Sequence, residues 1–390
     1  MTALSELLYL PVQEKASRGL EFTPREIAQQ PETWPKTFAL FEQRRAQIIE
    51  FLDAAGIFNE PAHRPVVFLI GAGTSDYIGR ALTQILRERW QCEVMAVPST
   101  DVVTHLAELI LPHQKYLWIS FSRSGDSPES VAAVEKALAA RPDIHHIIVT
   151  CNANAKMIRL TAGNPKALGI CLDDAVNDRG LAMTSSFSNM VIFGHCLAHA
   201  NDATGYKNVL KDLIAAGKSL LATAPDCTAK LAKENFATVC FVGSGPLRAV
   251  ASECALKVLE LTSGKTLTMS ESALGLRHGP MSALKQDTLF VCFLSSDAHV
   301  RNYETDLLRE IGEKKLVHTR VAVGAEIDKT LAEHLLTPSA SLPDVYRPPC
   351  DVIFGQLLGL FFSLRWNLQP DHPSPNGAIT RVVQGVKIYP

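Results

Sequence analysis

The run Val66-Val67-Phe68-Leu69-Ile70-Gly71-Ala72-Gly73-Thr74-Ser75 joins an apolar, β-branched segment to a glycine turn that ends in two hydroxyls. Thr238-Val239-Cys240-Phe241-Val242-Gly243-Ser244-Gly245-Pro246 repeats the plan. Each opens a series of similar segments. Leu117-Trp118-Ile119, His146-Ile147-Ile148-Val149-Thr150 and the weaker Leu168-Gly169-Ile170-Cys171 follow the first, while segments 288–294 and 318–323 follow the second. Continuous apolar strands separated by helical sequence specify a parallel sheet covered on both faces. The expected fold class is therefore α/β, with a doubly wound parallel sheet used twice. Both glycine turns fall beyond the carboxyl ends of strands, where open α/β sheets collect ligands. The third glycine of a dinucleotide fingerprint is replaced by Asp76 and Arg248, which argues against a Rossmann oxidoreductase. A tight turn that needs backbone room accounts for both loops, and the hydroxyls of Thr74 and Ser75 tilt the first towards substrate contact.

Working outward, residues 1–55 read as a helical arm suited to packing or dimerisation, with Thr23 before Pro24 as a cap-plus-first-turn start. Residues 56–220 form the first expected domain and 221–390 the second, joined by helical sequence between about Val191 and Leu231. A chain of 390 residues is long enough for two cores. Its formal net charge of −2, without a long basic run, argues against nucleic acid as the partner. Nine cysteines stand singly with no C-x-x-C pair, which fits reduced thiols in a cytoplasmic chain without a signal peptide. Apolar stretches such as Leu357-Leu358-Gly359-Leu360-Phe361-Phe362 are too short to span a membrane.

The chemistry concentrates in three places. Phe121-Ser122-Arg123-Ser124-Gly125-Asp126-Ser127-Pro128 runs from a strand into a helix, with Ser127 as N-cap and Pro128 as the first helical residue. Helix starts offer free N–H groups and a positive dipole end to an anion. One reading is an ordinary capped turn; the other is a cradle in which Ser122, Ser124 and Ser127 hold a phosphomonoester. No Walker lysine follows, so a nucleoside triphosphate is disfavoured. Glu253, Lys257 and Glu260 share one helix face at i, i+4 and i+7. That face is either a salt-bridged solvent surface or, since the helix leaves the sheet's carboxyl edge, a polar wall of a cleft. His278, in Arg277-His278-Gly279-Pro280, is either a solvated loop residue or a group that moves a proton to and from a sugar ring oxygen. His195 and His199 mimic a metal pair but lack a neighbouring glutamate and a third ligand, so both read as structural, and neither metal nor cofactor is expected.

These motifs, in this order, resemble the sugar isomerase (SIS) superfamily over nearly the whole chain, with two tandem SIS domains of flavodoxin-like type. The segment from Ser122 to Ser127, and Glu253 to Glu260 with His278-Gly279-Pro280, are similar to the phosphate loop and catalytic segment in the isomerase half of glucosamine-6-phosphate synthase. A closer resemblance, to the galactosamine-6-phosphate deaminase/isomerase group also called tagatose-6-phosphate ketose/aldose isomerases, of N-acetylgalactosamine catabolism, rests on segments 124–135, 178–186 and 380–386 and on Gln30-Pro31 to Trp34. The resemblance implies that Gly73, Thr74, Ser75, Ser122, Ser124 and Ser127 bind phosphate and that Thr184 contacts the sugar. It makes Glu260 the enolisation base, His278 the ring-opening group, and Glu253 and Lys257 supports of the carboxylate. The histidine loop would reach a neighbouring subunit, implying a homodimer or higher homo-oligomer with shared active sites. The tail lysine of the synthase is replaced by Gln384, and the glutamine-hydrolysing domain is absent. The implied activity converts D-galactosamine 6-phosphate to D-tagatose 6-phosphate and ammonia. The alternatives are plain ketose/aldose isomerisation and a noncatalytic sugar-phosphate sensor.

Overall fold

β-branched and aromatic runs become strands where helices bury both of their faces. The computed structural model describes residues 1–390 apart from Glu326, Gln384 and Pro390, so the substitution at Gln384 lies outside the described residues. Among the described residues ten strands form: β1 Val66–Gly71, β2 Val94–Pro98, β3 Tyr116–Ser122, β4 His145–Thr150, β5 Ala167–Cys171, β6 Thr238–Gly243, β7 Leu267–Glu271, β8 Thr288–Phe293, β9 Thr319–Val323 and β10 His334–Leu336. They make two five-stranded sheets, ordered β2-β1-β3-β4-β5 and β10-β9-β8-β6-β7. Every pairing is parallel, for example Phe68 opposite Trp118 and Val242 opposite Cys292. Read from β7 to β10, the second sheet repeats the order of the first, so the chain is a tandem α/β protein with helices on both faces of each sheet. The central strands are wholly buried along β3 and β8, as the unbroken apolar runs require.

The two glycine turns match in detail. Gly73 has φ 56° and ψ −126°, and Gly245 has φ 55° and ψ −128°, backbone that a side chain rarely adopts. Helices Thr74–Trp90 and Pro246–Leu261 then leave the carboxyl edges of β1 and β6.

Contacts divide the chain into two compact units, each built on one sheet. The unit of the first sheet comprises Thr33–Asn177, Ser185–Lys207 and the tail from Thr380. Helix Ser185–Ala198 is buried along its whole length, and its Ser188 and Asn189 side chains take hydrogen bonds from Trp34 Nε1 and Thr37 Oγ1 at 3.0 and 2.7 Å. His195 and His199 pack on Tyr206, with ring centroids 5.8 and 5.2 Å away.

The unit of the second sheet comprises Met1–Glu32, Asp178–Thr184 and Asn208–Ile379. Here Thr23 does not cap as its place before Pro24 suggested. It is the first residue of helix Thr23–Ala28, and its hydroxyl donates to Asp371 at 2.7 Å. The Asp371 carboxylate also accepts the backbone N–H groups of Glu21, Phe22 and Thr23, so the free donors of that helix start are satisfied from the far end of the chain. No helix among the described residues is long and apolar enough to cross a membrane.

Candidate active site

In the first-sheet unit, Ser122 ends β3 and the following loop folds on its own hydroxyls. Ser122 Oγ accepts the Gly125 N–H at 3.1 Å and Ser124 Oγ accepts the Asp126 N–H at 3.2 Å. Ser127 takes the N-cap position of helix Pro128–Ala140, but its hydroxyl donates to Ser130 Oγ at 2.8 Å instead of capping. Asp126 fastens the loop to the segment after β4, accepting from Asn152 Nδ2 at 3.0 Å and from the Lys156 N–H at 2.8 Å. Thr74 and Ser75 are buried at the first turn of their helix, directly after Gly73. The loop also meets the tail, because Arg123 Nη2 donates to the Arg381 carbonyl at 2.7 Å and Arg381 Nη2 donates to Asn177 Oδ1 at 2.6 Å. Sequence reasoning missed Arg123; its place between two hydroxyl residues on a charge-poor loop was the available signal.

In the second-sheet unit, Glu253 and Lys257 are fully buried, and Glu260 keeps 29% of its side chain exposed. The Lys257 ammonium lies 2.5 Å from Glu260 Oε2 and 3.4 Å from Glu253 Oε1. The solvent-face reading of this pattern is therefore replaced by a buried one. Helix Pro348–Arg365 packs against helix Pro246–Leu261 at glycines: a Cβ on Gly359 would sit 2.9 Å from the Lys257 carbonyl, and one on Gly355 would sit 2.4 Å from Cys254 Sγ. Only glycine permits so close an approach of the two helices. A lone ammonium would not survive such burial; two carboxylates hold it charged.

Among the described residues Glu260 is the sole carboxylate lining a cavity of about 310 Å³, whose wall also includes Leu181, Ser263, Pro373, Ser374 and Ile379. Leu181 is delivered by the segment Asp178–Thr184, held at several points. Glu26 accepts the N–H groups of Arg179 and Gly180 at 2.6 and 3.3 Å, and the Leu181 N–H donates to the Asp371 carbonyl at 3.0 Å. Thr184 is fully buried, and its N–H and hydroxyl donate to Asp178 at 2.7 and 3.0 Å. The Thr184 hydroxyl hydrogen is thus directed at Asp178. Sequence reasoning also missed Glu26 and Asp371, whose roles depend on partners distant in the chain. His278 is exposed on the turn after helix Ala273–Leu276, with Gly279 at φ 122° behind it.

Burial first, then the Asp178 charge, pushes the Glu26 carboxyl up to about 8; the Arg179 and Gly180 N–H groups oppose the rise, and the Asp371 charge adds a smaller push. In the unfolded chain this group titrates near 4.5, so between about 4.5 and 8 the folded state holds a proton that the unfolded state releases. Its contribution to stability is full below about 4.5 and is lost as the pH rises through 8. Glu26→Gln is expected to flatten that decline, which thermal melts of both proteins from pH 5 to pH 9 would read as a pH-dependent gap. Parallel curves across the range would refute the assignment.

A SIS domain model matches residues 62–200, which span the first sheet and its glycine and serine loops. The D-galactosamine-6-phosphate deaminase AgaS of Escherichia coli is 35% identical over 376 residues, covering 95% of this chain and 96% of that one. The chain belongs to the D-galactosamine-6-phosphate deaminase AgaS family. The crystal structure of the tagatose-6-phosphate ketose/aldose isomerase from Escherichia coli superposes on this family member with a TM-score of 0.84 at 32% identity, covering 94% of this chain and 96% of that chain. The C-terminal domain of glucosamine-fructose-6-phosphate aminotransferase from Francisella tularensis, 16% identical over 88% of this chain and 96% of its own, shares the fold at a TM-score of 0.72. Tandem SIS domains thus account for both sheets.

Proposed function

We infer that this enzyme converts D-galactosamine 6-phosphate to D-tagatose 6-phosphate and ammonia. The observation that carries the chemistry is the buried Glu253-Lys257-Glu260 line ending on a cavity wall, since it offers one accessible carboxylate held by a sealed ammonium. Membership of the AgaS family supports the substrate.

In this reading Ser122, Ser124 and Ser127, with Gly73, Thr74 and Ser75, hold the 6-phosphate by hydrogen bonds from hydroxyls and from backbone N–H groups at two helix starts. His278 of a neighbouring protomer assists ring opening, which makes a homodimer or higher homo-oligomer the active form and a cytoplasmic setting the natural one. Glu260 takes the C2 proton of the open-chain aldehyde, forming an enolamine. The proton returns at C1 and leaves a C2 imine. Water adds to that imine and ammonia departs, so the ketose oxygen comes from water and no oxidant is required. Thr184 acts through Asp178, shaping the segment that carries Leu181 to the cavity.

A second reading, isomerisation without deamination, is favoured by the name of the Escherichia coli structure. Product analysis separates them. Incubated with galactosamine 6-phosphate, the protein is expected to release one ammonia per ketose 6-phosphate formed, with a smaller kcat/KM for glucosamine 6-phosphate. Ketose without ammonia, or no turnover of either sugar, would overturn the reading.

A further inference from the structure

The loop after β8 is the topological counterpart of the Ser122 loop, because β8 occupies in the second sheet the place of β3 in the first. It too carries hydroxyls, in Leu294-Ser295-Ser296-Asp297, and leads into helix Ala298–Glu313. Its donors converge on a carboxylate of the chain itself. Ser296 donates through both its N–H and its hydroxyl to Asp344 Oδ1, at 2.8 and 2.9 Å, and Ser295 Oγ donates to Asp344 Oδ2. Arg347 Nη1 lies 3.1 Å from the same Oδ1, and Asp344 keeps only 15% of its side chain exposed. The neighbouring Ser295 N–H is taken at 2.6 Å by Glu304, which is fully buried.

Three N–H and hydroxyl donors and a buried guanidinium around one carboxylate amount to more than a helix start. They are the components by which a protein binds an external oxyanion, here satisfied from within. We propose that the carboxyl edge of the second sheet is an oxyanion-binding cradle with the Asp344 side chain as its built-in ligand, closed in the wild-type chain and open to a small carboxylate once Asp344 is removed. The cradle's other parts do not depend on that residue. Arg347 is also held by Asp351 at 2.7 Å and by the Leu294 carbonyl at 2.5 Å, so it stays in place when Asp344 is shortened.

The test is the full-length Asp344→Ala variant with sodium acetate as the probe and sodium chloride at equal ionic strength as the control. A ligand that binds only the folded state multiplies the folding constant by one plus its concentration over Kd, about elevenfold at ten times Kd. The variant is expected to melt lower than wild type and to regain stability with acetate in that saturable form, while wild type responds to acetate and chloride alike. Should Asp344→Ala fail to fold unaided, the readout is the folded yield on dilution from urea, which acetate is expected to raise and chloride is not. Equal responses to the two salts, in stability or in yield, would overturn the proposal, as would an acetate effect of the same size in wild type.

Discussion

Replacing Glu260 by Gln is expected to lower kcat for galactosamine 6-phosphate by about two to four orders of magnitude, the usual worth of a positioned proton transfer. Binding should be nearly unchanged, since the anchor assigned to the 6-phosphate is the Ser122 loop. The amide keeps the shape and one acceptor oxygen of the carboxylate but cannot take a proton. Lys257 would keep a neutral oxygen within reach and Glu253 at 3.4 Å, so the fold should tolerate the change. Solvent exchange gives the sharper readout: in D2O the wild-type enzyme should place deuterium at C1 of the product, and the variant should exchange nothing. A variant releasing ammonia at near wild-type rate would remove Glu260 from the mechanism.

Replacing Lys257 by Met should have the largest effect on stability. Removing one partner of a buried ion pair typically costs about 3–5 kcal/mol, because the charge left behind is neither solvated nor paired. Here the residue that loses its Lys257 partner is Glu253, with none of its side chain exposed. Urea unfolding of Lys257→Met should show that loss, and adding Glu253→Gln should recover a large part of it, because the two sites are coupled. A single variant as stable as wild type would contradict the role given to the Glu253–Lys257 pair. Either variant should also be nearly inactive, as Glu260 loses the ammonium beside it.

The sequence disclosed the central strands and both glycine turns because those segments are buried on two faces and hence continuously apolar. Strands β2, β7 and β10 went unread for the opposite reason. All three are edge strands; β10 has three residues, and β7 has no fully buried position. An edge strand has one hydrogen-bonded neighbour and a partly solvated surface, so its composition is weakly constrained. At the candidate site the residue types were legible and their environments were not. The i, i+4, i+7 spacing of Glu253, Lys257 and Glu260 fixes a shared face, but whether that face meets water depends on what the tertiary fold packs against it. Thr23 and Thr184 show the same limit: both carry hydroxyls in suggestive positions, and both donate to aspartates that only the tertiary fold brings near.

The most direct measurement is a crystal structure of the Glu260→Gln protein with galactosamine 6-phosphate bound. The account predicts the phosphate among the hydroxyls of Ser122, Ser124 and Ser127, and the sugar C2 within about 3.5 Å of the residue-260 side chain, the spacing of a near-attack geometry. A phosphate seated elsewhere, or a C2 atom out of reach of residue 260 throughout the oligomer, would contradict it.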